Sequence, residues 1–364
     1  MTSLIYEWRP VPAFVLRLAS ICYSTVIVYT CLLRGVQQRC SGSLLDPITD
    51  LKDDATNFLA LEFNFAMKSL IKTTLSRILG VLPRMIIDYR GFSVHLNPKD
   101  QSSAEIYAKY KTTGRWVHEE YEQGVISQII ALHKHAIFID VGASYGMYSL
   151  MAATQENSGH IEKIIAIEGS PSTFEWLDKT IKSNHLTDKI ALKNLAVSNE
   201  ENSAVSFFSH PKYSEWNRIA EADEASDPNL PTVASATLTH ILKDSGWQGD
   251  RPLIVKIDIE GGESKALEGL AKAIEIADEY CVIVEFHSKL LSSIGGGAMN
   301  FVDQILALAP AVVFEIDEGG QCLNRLSNRE DFERMVQRLE SGTELWQIMT
   351  NVAFGSRSLG QLFN

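Results

Sequence analysis

From residue 136 onward, short apolar segments rich in β-branched residues alternate with segments of helical periodicity. The apolar segments read AIFIDV, IIAIEG, IALKNLAVS, LIVKIDIEG and CVIVEFH, and AVVFEID and ELWQIMTNVAF follow them. Strands that are apolar at nearly every position are buried on both faces, and the intervening helices allow such strands to run parallel. The alternation therefore predicts an α/β fold, Rossmann-like, in which a mostly parallel seven-stranded sheet is flanked by helices and residues 136–317 form the core.

The rest of the chain predicts additions to this core. Residues 1–80 have helical spacing of apolar residues and end at Gly80, which predicts a helical N-terminal extension before a domain over residues 81–364. Residues 84–97 predict a hairpin with its turn at Arg90 and Gly91. Residues 203–250 interrupt the alternation, and their acidic, proline-containing part predicts a solvated loop.

Residues 11–33 are apolar apart from Arg17. Their uninterrupted part, residues 18–33, is shorter than the roughly 20 residues of a membrane-spanning helix. The segment is a candidate membrane-associated helix, and the alternative is a packed or peripheral helix. An anchor predicts that the full-length chain pellets with membranes and resists a carbonate wash, whereas a packed helix predicts a protein that stays in solution.

Composition excludes some classes of function. The net charge of −12 gives nucleic acid no electrostatic attraction to the chain as a whole. The five cysteines form no CxxC pair, which favours a reducing, cytoplasmic location. The histidines lack HExxH spacing, so no metal site is expected.

The segment FIDVGASYGMYS places Asp140 at the end of the first core strand, before a turn that contains Gly142 and Gly146. In open α/β sheets, ligands bind beyond the carboxyl ends of the strands. The spacing G-x-x-x-G differs from the G-x-G-x-x-G of dinucleotide sites, and a carboxylate here would repel phosphate. It suits a ligand with sulfonium and ammonium groups, which predicts S-adenosylmethionine. The alternative is that Asp140 caps the next helix.

Glu168 ends the second core strand, where a carboxylate can accept hydrogen bonds from both hydroxyls of an adenosine ribose. An acidic residue at this position is common to nucleoside-binding proteins. It therefore supports the site without choosing the cofactor.

Several segments in order resemble the FkbM family of S-adenosylmethionine-dependent methyltransferases. They are IDVGASYGMYSL, IEGSPSTF, NLAVSNEENSAVSFF, ATLTHIL, VKIDIEGGESKALEG and VIVEFH, and together they span roughly residues 90–320. The resemblance implies a class I methyltransferase fold. It also implies that Asp140, Gly142, Ala143 and Gly146 surround the amino-acid end of the cofactor and that Glu168 holds its ribose.

The same resemblance implies that Asn194, Ala196 and Val197 lie beside the adenine. For Ala196 and Val197 the alternative is a place in the core of a strand. Glu119 and Glu120 resemble an acidic position of the family, but we expect them on an exposed helix face.

The segment LIVKIDIEGGE carries the candidate catalytic residues. Side chains alternate along a strand, so Lys256, Asp258 and Glu260 are expected on one side. Methyl transfer to an alcohol needs a base, and Asp258 is the first candidate, with Lys256 orienting it or the acceptor. His287 is the second candidate. We expect Glu263 to act as a structural cap at a helix N-terminus.

These features together predict an S-adenosylmethionine-dependent methyltransferase that modifies a hydroxyl of a sugar, glycan or natural-product acceptor. An amine or carboxylate acceptor stays open, as does the oligomeric state. The alternatives are an NAD(P)-dependent oxidoreductase on a similar fold and a non-catalytic, membrane-attached binding protein.

Overall fold

The computed structural model describes residues 85–116, 118–201, 203–220, 224–294, 297–343 and 345–363. The predicted extension over residues 1–80, with its candidate membrane segment at 11–33, lies outside these ranges. Within them, each helix is either too short or too polar to cross a bilayer.

The described residues form fourteen strands. In chain order they are β1 (Met85–Tyr89), β2 (Phe92–Leu96), β3 (Ala136–Val141), β4 (Ile161–Ile167), β5 (Ile190–Lys193), β6 (Ala196–Val197), β7 (Ser203–Phe208), β8 (Arg218–Ile219), β9 (Thr232–Ala236), β10 (Leu253–Ile257), β11 (Tyr280–His287), β12 (Val312–Asp317), β13 (Cys322–Arg325) and β14 (Met349–Gly355).

Helices join most of these strands. The α-helices are α1 (Gln101–Thr113), α2 (Glu120–Ala131), α3 (Met147–Ala152), α4 (Pro171–Ser183), α5 (Leu238–Asp244), α6 (Glu263–Ile276), α7 (Ser288–Ile294), α8 (Ala298–Ala307), α9 (Arg329–Glu340) and α10 (Leu345–Ile348). Two 3₁₀ helices, η1 (Ser214–Trp216) and η2 (Arg357–Phe363), complete the set.

The main sheet has the strand order β13-β12-β14-β11-β10-β3-β4-β5. Strands β11, β10, β3, β4 and β5 run parallel, and β14 joins the sheet antiparallel to both β11 and β12. The predicted Rossmann-like sheet of seven mostly parallel strands is confirmed. The short strand β13 adds an eighth at one edge and was not predicted.

Apolar side chains cover both faces of this sheet because successive residues of each strand point to opposite sides. Phe138 and Ile254 pack on one face with the β1–β2 hairpin, α2, α3 and α4. Ile139 and Val255 pack on the other face with α5, α6, α8 and α9. The β1–β2 hairpin has its turn at Arg90 and Gly91, as predicted.

Two segments differ from their predictions. The third predicted strand, IALKNLAVS, is two strands, because β5 belongs to the main sheet whereas β6 joins a four-stranded sheet of order β6-β9-β7-β8. Strands β7, β8 and β9 of that second sheet lie within residues 203–250 and were not predicted, whereas the described part of the predicted solvated loop, residues 224–231, is mostly exposed as predicted. In ELWQIMTNVAF, Leu345–Ile348 form the short helix α10.

Candidate active site

The turn after β3 is held tightly against its neighbours. The backbone N–H groups of Gly142 and Ala143 both donate to the carbonyl oxygen of Ile167 at 2.9 Å. Gly142 has a φ of +84°, and a Cβ atom at this position would lie 1.8 Å from the carbonyl oxygen of Asp258. Glycine is therefore required here by close approach as well as by conformation. The turn brings the ends of β3, β4 and β10 together.

Asp140 lies at this meeting point and is almost fully buried. Its Oδ2 atom accepts hydrogen bonds from the backbone N–H of Ser149 at 2.8 Å and from the Ser149 hydroxyl at 2.6 Å. Burial raises the pKa of Asp140 to about 6, although both hydrogen bonds from Ser149 lower it. The carboxylate thus ties the strand to the first turn of α3, which is the capping role considered as the alternative in the sequence.

Glu168 faces the same turn from the end of β4. Its two oxygens accept from backbone N–H groups, Oε2 from Ser144 at 2.9 Å and Oε1 from Ser170 at 2.8 Å. A carboxylate offers about four lone-pair directions, so each oxygen retains capacity for one further donor. Burial raises the pKa of Glu168 to about 7 against the effect of those two N–H groups. The fixed orientation suits a ligand with two adjacent hydroxyls.

Asn194, Ala196 and Val197, the three residues predicted beside the adenine, follow the end of β5. The side-chain amide of Asn194 donates to the carbonyl oxygen of Glu168 at 2.8 Å, so it fixes the backbone at the end of β4. Ala196 and Val197 form β6 and are buried among apolar side chains. These contacts agree with the alternative of a core strand, and adenine contact stays a prediction.

Lys256 is almost fully buried, with 1% of its side chain exposed. Its Nζ atom lies 3.2 Å from Glu122 Oε1, 3.3 Å from Asp258 Oδ2 and 3.1 Å from Asn351 Oδ1. Burial alone lowers the pKa of Lys256, but the surrounding carboxylates, Asp258 first among them, raise it above the ordinary lysine value. The lysine therefore stays charged and organises its neighbours.

Asp258 is placed as predicted relative to Lys256, but Glu260 is not. Strand β10 ends at Ile257, and Glu260 has a positive φ of +49° in the loop that follows. The predicted single row of three charges is therefore wrong beyond Asp258, because the close approach of Gly142 ends the strand there. Asp258 keeps 31% of its side chain exposed, so it is the member of this pair that a substrate can reach. Glu263 accepts from the backbone N–H of Gly261 at 3.1 Å and fastens this loop.

His287 stands apart from that pair. It ends β11 and is half-buried, and its Nδ1 atom accepts the backbone N–H of Leu290 at 3.2 Å. Burial lowers its pKa. This geometry is that of a residue that fastens the start of α7, and among the described contacts none joins His287 to Lys256 or Asp258.

The first turn of α2 contributes residues that the sequence did not indicate. Glu122 is fully buried beside Lys256, and the hydroxyl of Tyr148 lies 2.7 Å from Glu122 Oε2 and 2.6 Å from Glu119 Oε2. Glu119 was expected on an exposed helix face, yet its side chain is only 16% exposed; Glu120 is exposed as expected and pairs with Arg115.

A phenol has one proton to donate, so one of the two carboxyl groups beside Tyr148 must carry a proton of its own. Burial raises the pKa of Glu122 to about 8. Burial also acts to raise the pKa of Glu119, but the charges of His118 and Lys256 and its hydrogen bonds lower it overall. Glu122 is therefore the protonated group at neutral pH, and Tyr148 donates to Glu119.

The site has more carboxyl groups than cations. Glu260 and Glu285 adjoin Asp258 electrostatically, and burial raises the pKa of both, that of Glu260 to about 8. A buried site with more carboxyl groups than cations is suited to a cationic ligand. Among the described residues, no group of three His, Cys, Asp or Glu side chains is arranged to hold a metal ion.

The fold and the site together define a class. A parallel sheet with a glycine turn after its first strand, a buried carboxylate after its second and an acidic cluster at the end of β10 is the arrangement of a Rossmann-like methyltransferase. The family model "Methyltransferase FkbM domain" matches residues 140–341, more than half of the chain. The protein belongs to this family of methyltransferases. This membership favours methyl transfer over the nicotinamide-dependent oxidoreductase considered from the sequence.

Solved structures with a similar fold share little sequence with this chain. The methyltransferase FkbM from Methylobacillus flagellatus KT is 15% identical, with a TM-score of 0.37 over 79% of this chain and 60% of that one, so this chain spans under two thirds of its length. An O-methyltransferase from Bacillus cereus, solved with SAH, is 8% identical, with a TM-score of 0.35 over 66% of this chain and 81% of that one. M. jannaschii TYW2, solved with AdoMet, is 12% identical, with a TM-score of 0.32 over 75% of this chain and 84% of that one. A search of curated proteins finds no match.

Proposed function

We propose that this protein transfers a methyl group from S-adenosylmethionine to a hydroxyl of a sugar, glycan or natural-product acceptor. The observation that carries the proposal is the excess of buried carboxyl groups around the single cation Lys256, at the edge where β3, β4 and β10 meet. This environment favours a cationic donor. It also holds a partly exposed carboxylate, Asp258, as a base.

The turn geometry supports a proposed set of cofactor-binding residues. Asp140 and the backbone of Gly142, Ala143 and Gly146 take the amino-acid end. Glu168, held by two backbone N–H groups, accepts the ribose hydroxyls. Asn194, Ala196 and Val197 border the adenine.

Bound S-adenosylmethionine supplies an activated methyl group, and the protein aligns the acceptor with it and excludes water. Asp258 would accept the proton of the acceptor hydroxyl while the hydroxyl oxygen forms a bond to the methyl carbon, the carbon–sulfur bond breaks and S-adenosylhomocysteine leaves. Lys256 holds Asp258 in place through the 3.3 Å contact. His287 is the alternative base, with its Nδ1 atom already occupied by a backbone N–H.

The acceptor class is tested by labelling. Full-length protein is incubated with methyl-tritiated S-adenosylmethionine and neutral glycosides, amines or carboxylic acids, and the product is treated with mild alkali. The proposal expects an alkali-stable methyl ether on a glycoside. An alkali-labile methyl ester, or label on an amine only, would contradict the choice of a hydroxyl.

The first prediction concerns the two cofactor carboxylates. Asp140→Ala and Glu168→Ala should each weaken binding of S-adenosylhomocysteine by about 1.5–3 kcal/mol, because each loses a hydrogen bond to a charged group. Titration calorimetry measures this effect. Ser149→Ala is the matched control, because it removes a donor to Asp140 but keeps the carboxylate. Wild-type affinity in a folded Asp140 or Glu168 variant would remove that residue from the site.

The second prediction concerns pH. The pKa of Glu168 is raised to about 7 and that of Asp140 to about 6. Both must be ionised to hold the cofactor, so affinity should fall as the pH is lowered from 8 to 5.5, by roughly tenfold per pH unit below each pKa. In the Glu168→Gln variant the affinity should no longer change with pH near 7. The Glu120→Gln variant, which changes an exposed carboxylate, should show the same dependence of affinity on pH as the wild type. A flat wild-type profile would contradict the assignment.

The raised pKa values of Glu168 and Asp140 have the opposite effect on the stability of the protein without ligand: stability should fall as the pH rises, whereas cofactor affinity should increase. The folded state holds more protons than the unfolded state between the ordinary carboxyl pKa and the raised values. The free energy of unfolding should therefore decrease as the pH rises through this range. Denaturant titrations at pH 5.5 and 8 measure it.

A further inference from the structure

A cluster of aromatic side chains lies at the solvent surface of the second sheet. It consists of His210, Tyr213 and Trp216, and we call it the Trp216 platform. Ring centroids are 4.9 Å apart for His210 and Trp216, 5.0 Å for Tyr213 and Trp216 and 5.4 Å for His210 and Tyr213. Among the described residues, Trp216, at 52%, and Ile276, at 57%, are the large apolar side chains that are exposed.

The platform is fastened to the cofactor turn. In η1, Ser214 donates to Asp100 through its backbone N–H at 2.8 Å and through its hydroxyl at 3.0 Å. Asp100 also accepts from the hydroxyl of Tyr145 at 3.0 Å, and Tyr145 belongs to the turn between Gly142 and Gly146. Two side-chain contacts thus separate the platform from the turn that would hold the cofactor.

The platform also adjoins the acidic loop after β10. Glu215 lies between Tyr213 and Trp216 in the chain. Its charge is one of those that raise the pKa of Glu260, after burial and the charges of Asp258 and Glu263. The segment that carries Trp216 therefore lies close enough to the loop after Asp258 for their charges to interact.

The chemistry of this surface restricts its ligand. Flat aromatic faces pack against the C–H face of a pyranose ring, and the adjacent carboxylates accept hydrogen bonds from its hydroxyls. Any of these carboxyl groups that is ionised repels an anionic ring. An exposed tryptophan among packed rings is typical of a recognition surface, since tryptophan and tyrosine supply large contact area at low entropic cost.

We propose that the Trp216 platform is the subsite that binds a neutral, hydroxylated ring of the methyl acceptor and directs one of its hydroxyls towards Asp258. This inference rests on the proposed function and adds to it the residues that select the acceptor. Trp216 is then a specificity-determining residue and takes no part in proton transfer.

The test uses full-length protein loaded with S-adenosylhomocysteine and saturation-transfer NMR with methyl glycosides of glucose, mannose, galactose and rhamnose, and with glucuronate. We expect saturation of ring C–H protons in at least one neutral glycoside, with weaker transfer to glucuronate. Trp216→Ala should reduce the transfer roughly fivefold to tenfold, and Trp216→Phe should retain most of it. Ile276→Ala is the matched control, because it removes the other exposed apolar side chain, which lies at the far end of α6 from Glu263, about 20 Å away.

The outcomes separate this inference from the proposed function. Calorimetry with S-adenosylhomocysteine is run on each variant and should give wild-type affinity throughout. Transfer that is absent for every glycoside, unchanged in Trp216→Ala or equally strong for glucuronate would overturn the subsite while the cofactor still binds. Loss of cofactor binding in the wild-type protein would instead overturn the proposed function.

Discussion

Gly142→Ala is expected to abolish cofactor binding and to yield a protein that is largely insoluble or melts far below the wild type. The added Cβ would lie 1.8 Å from the carbonyl oxygen of Asp258 and 2.9 Å from its carbonyl carbon. Neither atom can move away cheaply, because both belong to the backbone. Relief would require the turn after β3 to separate from the loop after β10, and these are the two elements that form the site.

The matched controls for Gly142→Ala are Gly91→Ala and Gly246→Ala. All three glycines have a φ of +84°, but a Cβ on Gly91 or Gly246 meets no atom within 4 Å. In the controls the free energy of unfolding should fall by only about 1–2 kcal/mol, the cost of a side chain at a positive φ. Their affinity for S-adenosylhomocysteine should be unchanged. Thermal melts and calorimetry on all three decide the matter. A Gly142 variant that behaves like the controls would show that the turn does not press on Asp258.

Asp258→Asn should lower turnover by roughly 10²–10⁴-fold, the usual contribution of a positioned base, with cofactor affinity nearly unchanged. Its stability should change little, because Lys256 keeps Glu122 at 3.2 Å and Asn351 at 3.1 Å. The rival interpretation is that Asp258 only neutralises the buried lysine.

Lys256→Met provides the contrast. Removing the cation leaves Asp258 without its partner beside the protonated Glu122, and breaking a buried pair in this way costs roughly 3–5 kcal/mol. Melting temperatures and single-turnover methyl transfer are measured on both variants. If Asp258→Asn melts as early as Lys256→Met but transfers methyl at the normal rate, the base is not Asp258, and His287 becomes the candidate.

Local pattern made the sheet and its ligand-binding edge predictable. Strands β3, β4, β10 and β11 are apolar at nearly every residue, so their period and order could be read directly. The glycines and carboxylates that follow β3 and β4 lie where parallel strands always place them. For the same reason the sequence alone predicts that Asp140, Gly142 and Glu168 lie at this edge of the sheet.

Groups that enter the site from distant segments were not predictable in this way. Glu122 lies in a helix that precedes the core, Tyr148 lies in α3, and Asn351 belongs to the last strand of the sheet. Their local sequences carry no sign of Lys256, which alone brings Glu122 and Asn351 together. Glu260 was misplaced because strand alternation was extended past Ile257, where the close approach of Gly142 ends β10.

The second sheet was missed because its strands are short and half-polar. Strand β6 has two residues and β8 has two, too few for any period to be detected. Their pairing with β9 and β7 depends on the fold as a whole. Ala196 and Val197 consequently looked like the end of β5.

Titration calorimetry of the full-length protein with S-adenosylmethionine, with NADH in a parallel titration, tests the central claim most directly. The carboxyl-rich site predicts one S-adenosylmethionine bound per chain, weaker binding as the pH falls through 7, and no heat with NADH. Binding of NADH with no response to S-adenosylmethionine would contradict the account.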